Sequence, residues 1–508
     1  MTATTQTPGR DFWHLSFEDL WHAMADRRSE YDNPNEPGKF KLYRGLHRKP
    51  LPANVPRVLD GTAEFDDMAL STLLHYAYGI SRQEFETSGT WPYHRMVASA
   101  RCLFSVQLYV CLPDGVYHFD AAHHTLVRLR AGDHRPLLAA ATGSDFDGAS
   151  AVVVLAALFW KAAFIYRDYA YRLCTEETGL VAGNLQAVGT AMGMETHVHH
   201  QFLDEPVNKL LGLEPDEESA LAVLALYPRP REIRRSAEAR SAADLAYTLA
   251  DISPPVVATT SLTGTLCPRL TAVNRASFLH DTNEIGSAAA PVPAVTGRAL
   301  PMPARSLPSI ELASVLRQRD SGPSRFIPVP SRVDGVALWA RLAAISAEGV
   351  SDTVPANSPL EIFLTVADAD GITPGTYRLD QATSALYPVG DGSGVAGIEG
   401  VTVPGPVFDH ITAVVHLVGD RDWALQAFGD RSYRILNQEA GMLAQRVCVA
   451  AAALGLSARI TNAYDVEGIR ATLGLAGSAR TPMFQILLAR TGPGPRLVVP
   501  VEPEGAGR

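Results

Sequence analysis

The sequence has little cysteine: Cys102, Cys111, Cys174, Cys267 and Cys448 are scattered through 508 residues with no CxxC spacing. An odd, sparse set cannot staple a scaffold, so the thiols read as reduced and the compartment as cytoplasmic. Long apolar runs are missing too. The most apolar, Ala149 to Trp160, is too short for a bilayer and reads as a buried strand. Met1 to Asp11 is polar and lacks the apolar core of a signal peptide. The expectation is a soluble protein with no membrane contact. Lys and Arg number 44 against 54 Asp and Glu, a net charge of −10 with no long basic run, which leaves no electrostatic footprint for nucleic acid. Walker, GxGxxG, GxSxG and HExxH signatures are absent. His197, His199 and His200 form an HxHH cluster without a nearby Cys or carboxylate pair, so no metal is expected. Gly392–Gly400 is Gly-rich without a Lys for phosphate and reads as a hairpin loop.

What is present is ordinary globular composition, 46% hydrophobic and 19% charged, in a chain long enough for two to four domains. A repeat narrows that range. Tyr171-Arg172, Glu177, Gly179, Ala182, Ala191, Gly193 and Leu211-Gly212-Leu213 recur as Tyr433-Arg434, Glu439, Gly441, Ala444, Ala453, Gly455 and Leu473-Gly474-Leu475, at a constant offset of 262 (171 to 433, 213 to 475). Gly115-Val-Tyr117, Asp120 and Leu126 recur as Gly375-Thr-Tyr377, Asp380 and Leu386, offset by 260 (115 to 375). Two tandem copies of one domain follow, with boundaries at 15–235 and 308–500. Residues 236–307, rich in Pro, Ala, Ser and Thr from Ser253 to Pro308, form a linker or surface excursion.

In copy one, helices are expected over Phe17–Arg27, after a capping Ser16, and over Asp66–Gly79. Strands are expected near Ser105–Cys111, Gly115–Asp120 and Ala151–Phe159, and a long helix from about Tyr169 to a stop at Gly193. Copy two repeats this, with strands near Glu361–Ala367 and Ile411–Val418 and a helix from about Asp430 to Leu454.

The segment Arg95-Met-Val-Ala-Ser99-Ala-Arg-Cys-Leu-Phe104-Ser-Val-Gln107-Leu-Tyr109-Val resembles the R-P-x-x-S-[AG]-G-x-x-[YH]-P-x-E-x-Y-V stretch of SagB-type azoline dehydrogenases, a branch of the FMN-dependent nitroreductase superfamily. Gly115-Val-Tyr-His-Phe-Asp120 is similar to the family's G-x-Y-x-Y-[DN], and Ile165-Tyr166-Arg-Asp-Tyr-Ala-Tyr171-Arg172 to its K-Y-G-x-R-A-Y-R. The resemblance covers about residues 20–225 and, more faintly, 308–490. It implies an α+β fold of two nitroreductase-like domains, each an antiparallel-rich central sheet flanked by helices, joined as an intramolecular pseudo-dimer. Such a chain is a monomer or a weak homodimer.

The resemblance also implies FMN bound between the two copies. Copy two begins with Leu316-Arg317-Gln-Arg319-Asp-Ser321, close to the superfamily's phosphate-binding start, whereas copy one has the weaker Arg27-Arg28-Ser29. Copy one keeps Ser99, and the signature is lost from the matching turn of copy two at Asp352-Thr353. One complete site is therefore expected, with Arg317, Arg319 and Ser321 from copy two and Ser99 and Arg95 from copy one. Thr461 and Asn462 would lie at the flavin edge, and Arg490 and Arg496 near the C-terminus would reach the phosphate by position; the second site has decayed.

The family oxidises thiazolines or oxazolines in a ribosomally made precursor peptide to azoles, with hydride passing to flavin N5 and O2 as reoxidant. It works beside a YcaO-type cyclodehydratase. The family's Lys is here Ile165, which leaves Tyr166 for proton handling, with Lys161 or His199 as helpers. Two further readings stand beside this one: a flavin-dependent reductase of dehydroamino acids using NAD(P)H, and a degenerate scaffold subunit of a peptide-modifying complex.

Overall fold

The computed structural model describes residues 7–19, 35–61, 64–86, 91–231, 234–236, 238–257, 261–291, 295, 297–303, 305–346, 351–353 and 358–501. Two antiparallel sheets organise them. The first contains Arg48–Pro50 (β1), Val106–Leu112 (β4), Gly115–Asp120 (β5), Thr125–Ala131 (β6), Ala151–Leu158 (β7), Glu195–His199 (β8) and Glu218–Tyr227 (β9), in the order β1-β6-β5-β4-β7-β9-β8. The second contains Leu360–Val366 (β10), Gly375–Leu379 (β11), Leu386–Pro388 (β12), Ala413–Asp420 (β13), Ser457–Thr461 (β14) and Arg480–Ala489 (β15), in the order β12-β11-β10-β13-β15-β14. Apart from β1 the two orders correspond strand for strand, so the sequence repeat is also a repeat of topology. Every residue of β4 and β9 is buried, because helices cover both faces of the sheet.

Between the sheets lie two long helices, Ala170–Ala191 and Ser432–Ala452. They meet along their length. Tyr171 stacks on Tyr433 with ring centroids 5.8 Å apart, and Gln445 Nε2 donates to Asn184 Oδ1 at 3.1 Å. A side chain on Gly179 would run into the Gln438 carbonyl, and one on Gly441 into the Glu176 carbonyl. Positions 176 and 438 share the offset of 179 and 441, so a pseudo-two-fold axis passes between these glycines. Both helices end before a left-handed glycine, Gly193 at φ +75° and Gly455 at φ +70°.

The halves also exchange their ends. Pro8–Trp13, capped by Thr7, packs Phe12 and Trp13 against Tyr433 at 5.0 and 4.8 Å. Helix Leu312–Gln318 gives Leu312, Ala313 and Leu316 to the first half's apolar core. Strand Arg496–Pro500 (β16) pairs antiparallel with Ile80–Glu86 (β2), whose other neighbour is Tyr93–Arg95 (β3). No described helix is long and apolar enough to cross a membrane.

Three sequence expectations change. Phe17 closes an earlier helical segment instead of opening one, and the Ser16 hydroxyl is no cap: it donates to Phe12 O and pairs with the Tyr433 hydroxyl at 2.8 Å. The rest of the Phe17–Arg27 helix and the Arg27-Arg28-Ser29 start lie outside the described residues. Within Gly392–Gly400, residues Gly394–Gly400 form a short helix, because burying Ile398 outweighs the poor helix propensity of glycine.

Gly179→Ala should force the long helices apart and cost about 1–3 kcal/mol. Gly400→Ala, with open space around it, should leave thermal unfolding unchanged.

Candidate functional site

Where β16 and β2 meet the start of the second half, four guanidinium groups converge. Arg82 and Arg496 both reach the Asp320 carboxylate, at 3.3 and 2.5 Å, and both also reach Glu84, at 2.5 and 2.8 Å. Arg459 at the base of β14 donates to the carbonyls of Ser321, Gly322 and Ser324, at 2.8, 3.1 and 3.2 Å. Arg319, only 3% exposed, crosses into the first half and donates to the carbonyls of Arg95, Met96 and Val97 at 3.0–3.3 Å and to Ser321 Oγ at 3.4 Å. The cations hold the Asp320 carboxyl down at about 2, and the same charge with burial keeps neighbouring His94 neutral, at about 4.

Arg319 thus lands on the turn that carries Ser99. The Ser99 hydroxyl donates to Glu177 Oε2 at 2.6 Å and accepts from Phe104 N at 2.9 Å, while Tyr78 and Val106 N donate to Glu177 Oε1. The turn is strained. Arg101, Cys102 and Phe104 are left-handed, with φ +51°, +58° and +50°, and Arg101 stands where the family motif has Gly. Arg101 Nε donates to the Tyr166 hydroxyl at 3.1 Å, which brings half-buried Tyr166 to the same turn.

Across the cleft, the end of β14 presents Thr461 and Asn462. Asn462 Nδ2 donates to Glu176 Oε2 at 2.6 Å, and Arg172 Nε to Glu176 Oε1 at 2.9 Å. Burial outweighs both partners and raises the Glu176 carboxyl to about 7. Asn462 Oδ1 is buried with no hydrogen-bond partner among the described residues. Thr461 Oγ1 only closes the local turn, accepting from Ala463 N at 3.1 Å.

Other residues expected here are placed elsewhere. Arg317 turns to the Tyr76 hydroxyl and the Arg57 carbonyl, and exposed Arg490 lies beside Gly455, leaving Arg496 to join the cluster. Arg95 lends only its carbonyl; its guanidinium lies over the Tyr78 ring at 4.1 Å inside the first half. Lys161 is buried over Trp91 and donates to the carbonyls of Gly38 and Lys39, and burial lowers its amine to about 7. His199 is buried against Phe146 at 5.3 Å, and burial keeps its ring neutral, at about 3.

His199 belongs to the pseudo-symmetric counterpart of the cleft. There the Asp352 carboxylate accepts from His200 N and Gln201 N at 2.8 and 3.1 Å, and Arg431 clamps the His200 carbonyl and Asp204. Gln201 is further tied to Gly286 of the connecting segment. The region is closed by protein groups. One expectation needs correction, since the matching turn keeps a hydroxyl on the helix glutamate: Ser351 donates to Glu439 Oε1 at 2.6 Å, as Ser99 does to Glu177. The residues 354–357 that would complete this turn lie outside the described set.

Sequence reasoning missed Arg82, Arg459, Arg172, Glu176 and Asp352. The Tyr-Arg repeat signalled Arg172; Arg82, Glu176 and Asp352 each gain a partner from the other half, and Arg459 bonds residues far from it in sequence. As a donor set the cleft suits FMN. Clustered guanidiniums match a phosphate, and the unpaired Asn462 Oδ1 matches a ring N–H. Asp320 occupies the centre of the arginine cluster as its own anion.

Residues 353–489 match the Nitroreductase family. They form a nitroreductase-family domain. "Putative nitroreductase MJ1384" of Methanocaldococcus jannaschii is 27% identical over 154 residues, covering 28% of this chain and 73% of that protein. The crystal structure of a "putative nitroreductase" from Anabaena variabilis ATCC 29413 superposes with a TM-score of 0.73 at 20% identity, over 96% of this chain and 100% of that one. That likeness extends the nitroreductase-like fold, mixed α and β with antiparallel sheets, beyond the nitroreductase-family domain itself.

Asp320→Asn should lower stability at pH 7 by up to about 2 kcal/mol. A carboxyl held below its ordinary 3.8 contributes fully above that pH and loses its contribution as the pH falls towards 2. Urea unfolding should therefore show a gap between variant and wild type at pH 7 that closes by about pH 2.

Proposed function

We propose that this chain is an FMN-dependent oxidoreductase with one cofactor cleft per chain, and that its reaction is azoline oxidation in a precursor peptide modified beside a YcaO-type cyclodehydratase. In this reading residues 15–235 and 308–500 are the two nitroreductase-like copies and 236–307 the connection. The observation that carries it is the reach of Arg319 from the second half to the carbonyls of Arg95, Met96 and Val97, beside the turn whose Ser99 holds Glu177, while Asn462 bonds the adjacent Glu176. A family that binds flavin between two copies needs such a juxtaposition, and one covalent chain supplies it.

Bound FMN would supply the hydride acceptor. Arg82, Arg459 and Arg496 would hold its phosphate, and Asn462 would hold its ring edge. Tyr166, beside the strained turn, is the candidate for proton handling. Its hydroxyl already accepts from Arg101 Nε, which fixes it beside the turn.

A second reading, a scaffold subunit without cofactor, is favoured by one observation. The guanidinium of Arg319 spends its hydrogen bonds on protein acceptors.

The visible spectrum separates the two. About one FMN per chain is expected from the composite cleft; a colourless protein that cannot be reconstituted establishes the scaffold, and two FMN per chain contradict the closed counterpart. Tyr166→Phe should reduce azoline turnover by about 10²-fold or more while FMN stays bound. Unchanged turnover removes Tyr166 from the chemistry.

A further inference from the structure

The duplication provides an internal control for every residue near the axis. Glu176 and Gln438 occupy equivalent places on the two long helices. Gln438 Nε2 donates to the Leu221 carbonyl at 2.9 Å, across the axis in the other half. On the Glu176 side the corresponding tie is made by Arg172 NH2, to the Met483 carbonyl at 2.7 Å. The helix arginines are balanced differently on the two sides: Arg434 pairs with Asp204, whose counterpart is Val466, whereas Arg172 pairs with Glu176, and Gln438 keeps a buried Oε1 with no partner among the described residues.

The carboxyl is also costly. Glu176 is 3% exposed, and its charged form must be desolvated. The groups facing it are Arg172 from its own helix, Tyr169 just before that helix, Tyr433 from the other long helix, and Asn462 and Tyr464 at the end of β14. Arg172 is the cation of this set, and it already serves the carbonyls of Ser16 and Met483.

Beyond pairing with Arg172, the carboxylate fixes the sense of Asn462. A carboxylate only accepts, so the Asn462 amide must present Nδ2 to it and turn Oδ1 the other way. That Oδ1 is buried with no partner among the described residues. Gln in place of Glu176 could accept or donate, and the Asn462 amide could sit either way round.

We propose that Glu176 is a positioning residue, which orients Asn462 so that Oδ1 faces the cleft as acceptor for a ring N–H of the flavin. This rests on the reading that FMN binds in that cleft.

The test compares full-length wild type and Glu176→Gln. The carboxyl's ordinary value is 4.5 and burial raises it to about 7. Below 4.5 folded and unfolded chains both hold the proton. Between 4.5 and 7 the unfolded chain releases it first, so stability falls as pH rises, and above 7 the loss is complete. Wild-type stability should therefore fall as the pH rises from about 4.5 to about 7, and that of Glu176→Gln should not. FMN binding, followed by quenching of flavin fluorescence, should weaken at least about fivefold in Glu176→Gln at pH 8, a change of about 1 kcal/mol. The wild-type FMN affinity should change through pH 7 and that of the variant should not. A variant that binds FMN equally well, with the same pH profile, overturns the proposal. A wild type that takes up no FMN overturns instead the reading on which it rests.

Discussion

The close approach of the two long helices at Gly179 and Gly441 is the constraint on which the rest of the molecule depends. With no side chain on either glycine, each backbone reaches the carbonyl of the opposite helix. The buried polar residues around the axis, Arg172, Arg434 and Gln438 among them, can then bond across it. These bonds set how one sheet lies against the other, and so whether Arg319 can reach the carbonyls of residues 95–97. A shift of an ångström there would leave buried guanidinium N–H groups without acceptors, at about 1–3 kcal/mol each.

The two clefts that the pseudo-axis creates have diverged electrostatically. At one, arginines outnumber the carboxylates among them, and the Asn462 acceptor is unpaired. At the other, Asp352 already takes the backbone donors of His200 and Gln201, while Arg431 and Arg434 share Asp204. A carboxylate on paired backbone N–H groups imitates an anionic or carbonyl ligand. At the first, the acceptor left without a partner among the described residues is Asn462 Oδ1.

Much of this was legible in the sequence, and the limits have physical causes. The Tyr-Arg pairs, Gly179, Gly441 and the stop glycines announced the repeat because backbone geometry restricts those positions to few residue types. β7 was readable from the apolar run before Trp160. Ser99 was readable because a turn motif surrounds it. Glu176 was not, since beside Glu177 it reads as one more helix residue until the second half brings Asn462 to it. Arg490 and Arg496 looked interchangeable, and only the pairing of β16 with β2 selects Arg496. Gly394–Gly400 misled because the local propensity of glycine yielded to the burial of Ile398.

Covalent fusion of the halves has an evolutionary consequence. In a symmetric homodimer any mutation appears in both clefts at once, so a change that improves one cannot be separated from its cost in the other. Here positions 176 and 438 are inherited separately, and a buried carboxyl can be carried once. The exchanged ends, Pro8–Trp13 on the second half and β16 on the first, keep that asymmetry heritable, because neither half can be traded for a copy of its neighbour without losing an element it has lent.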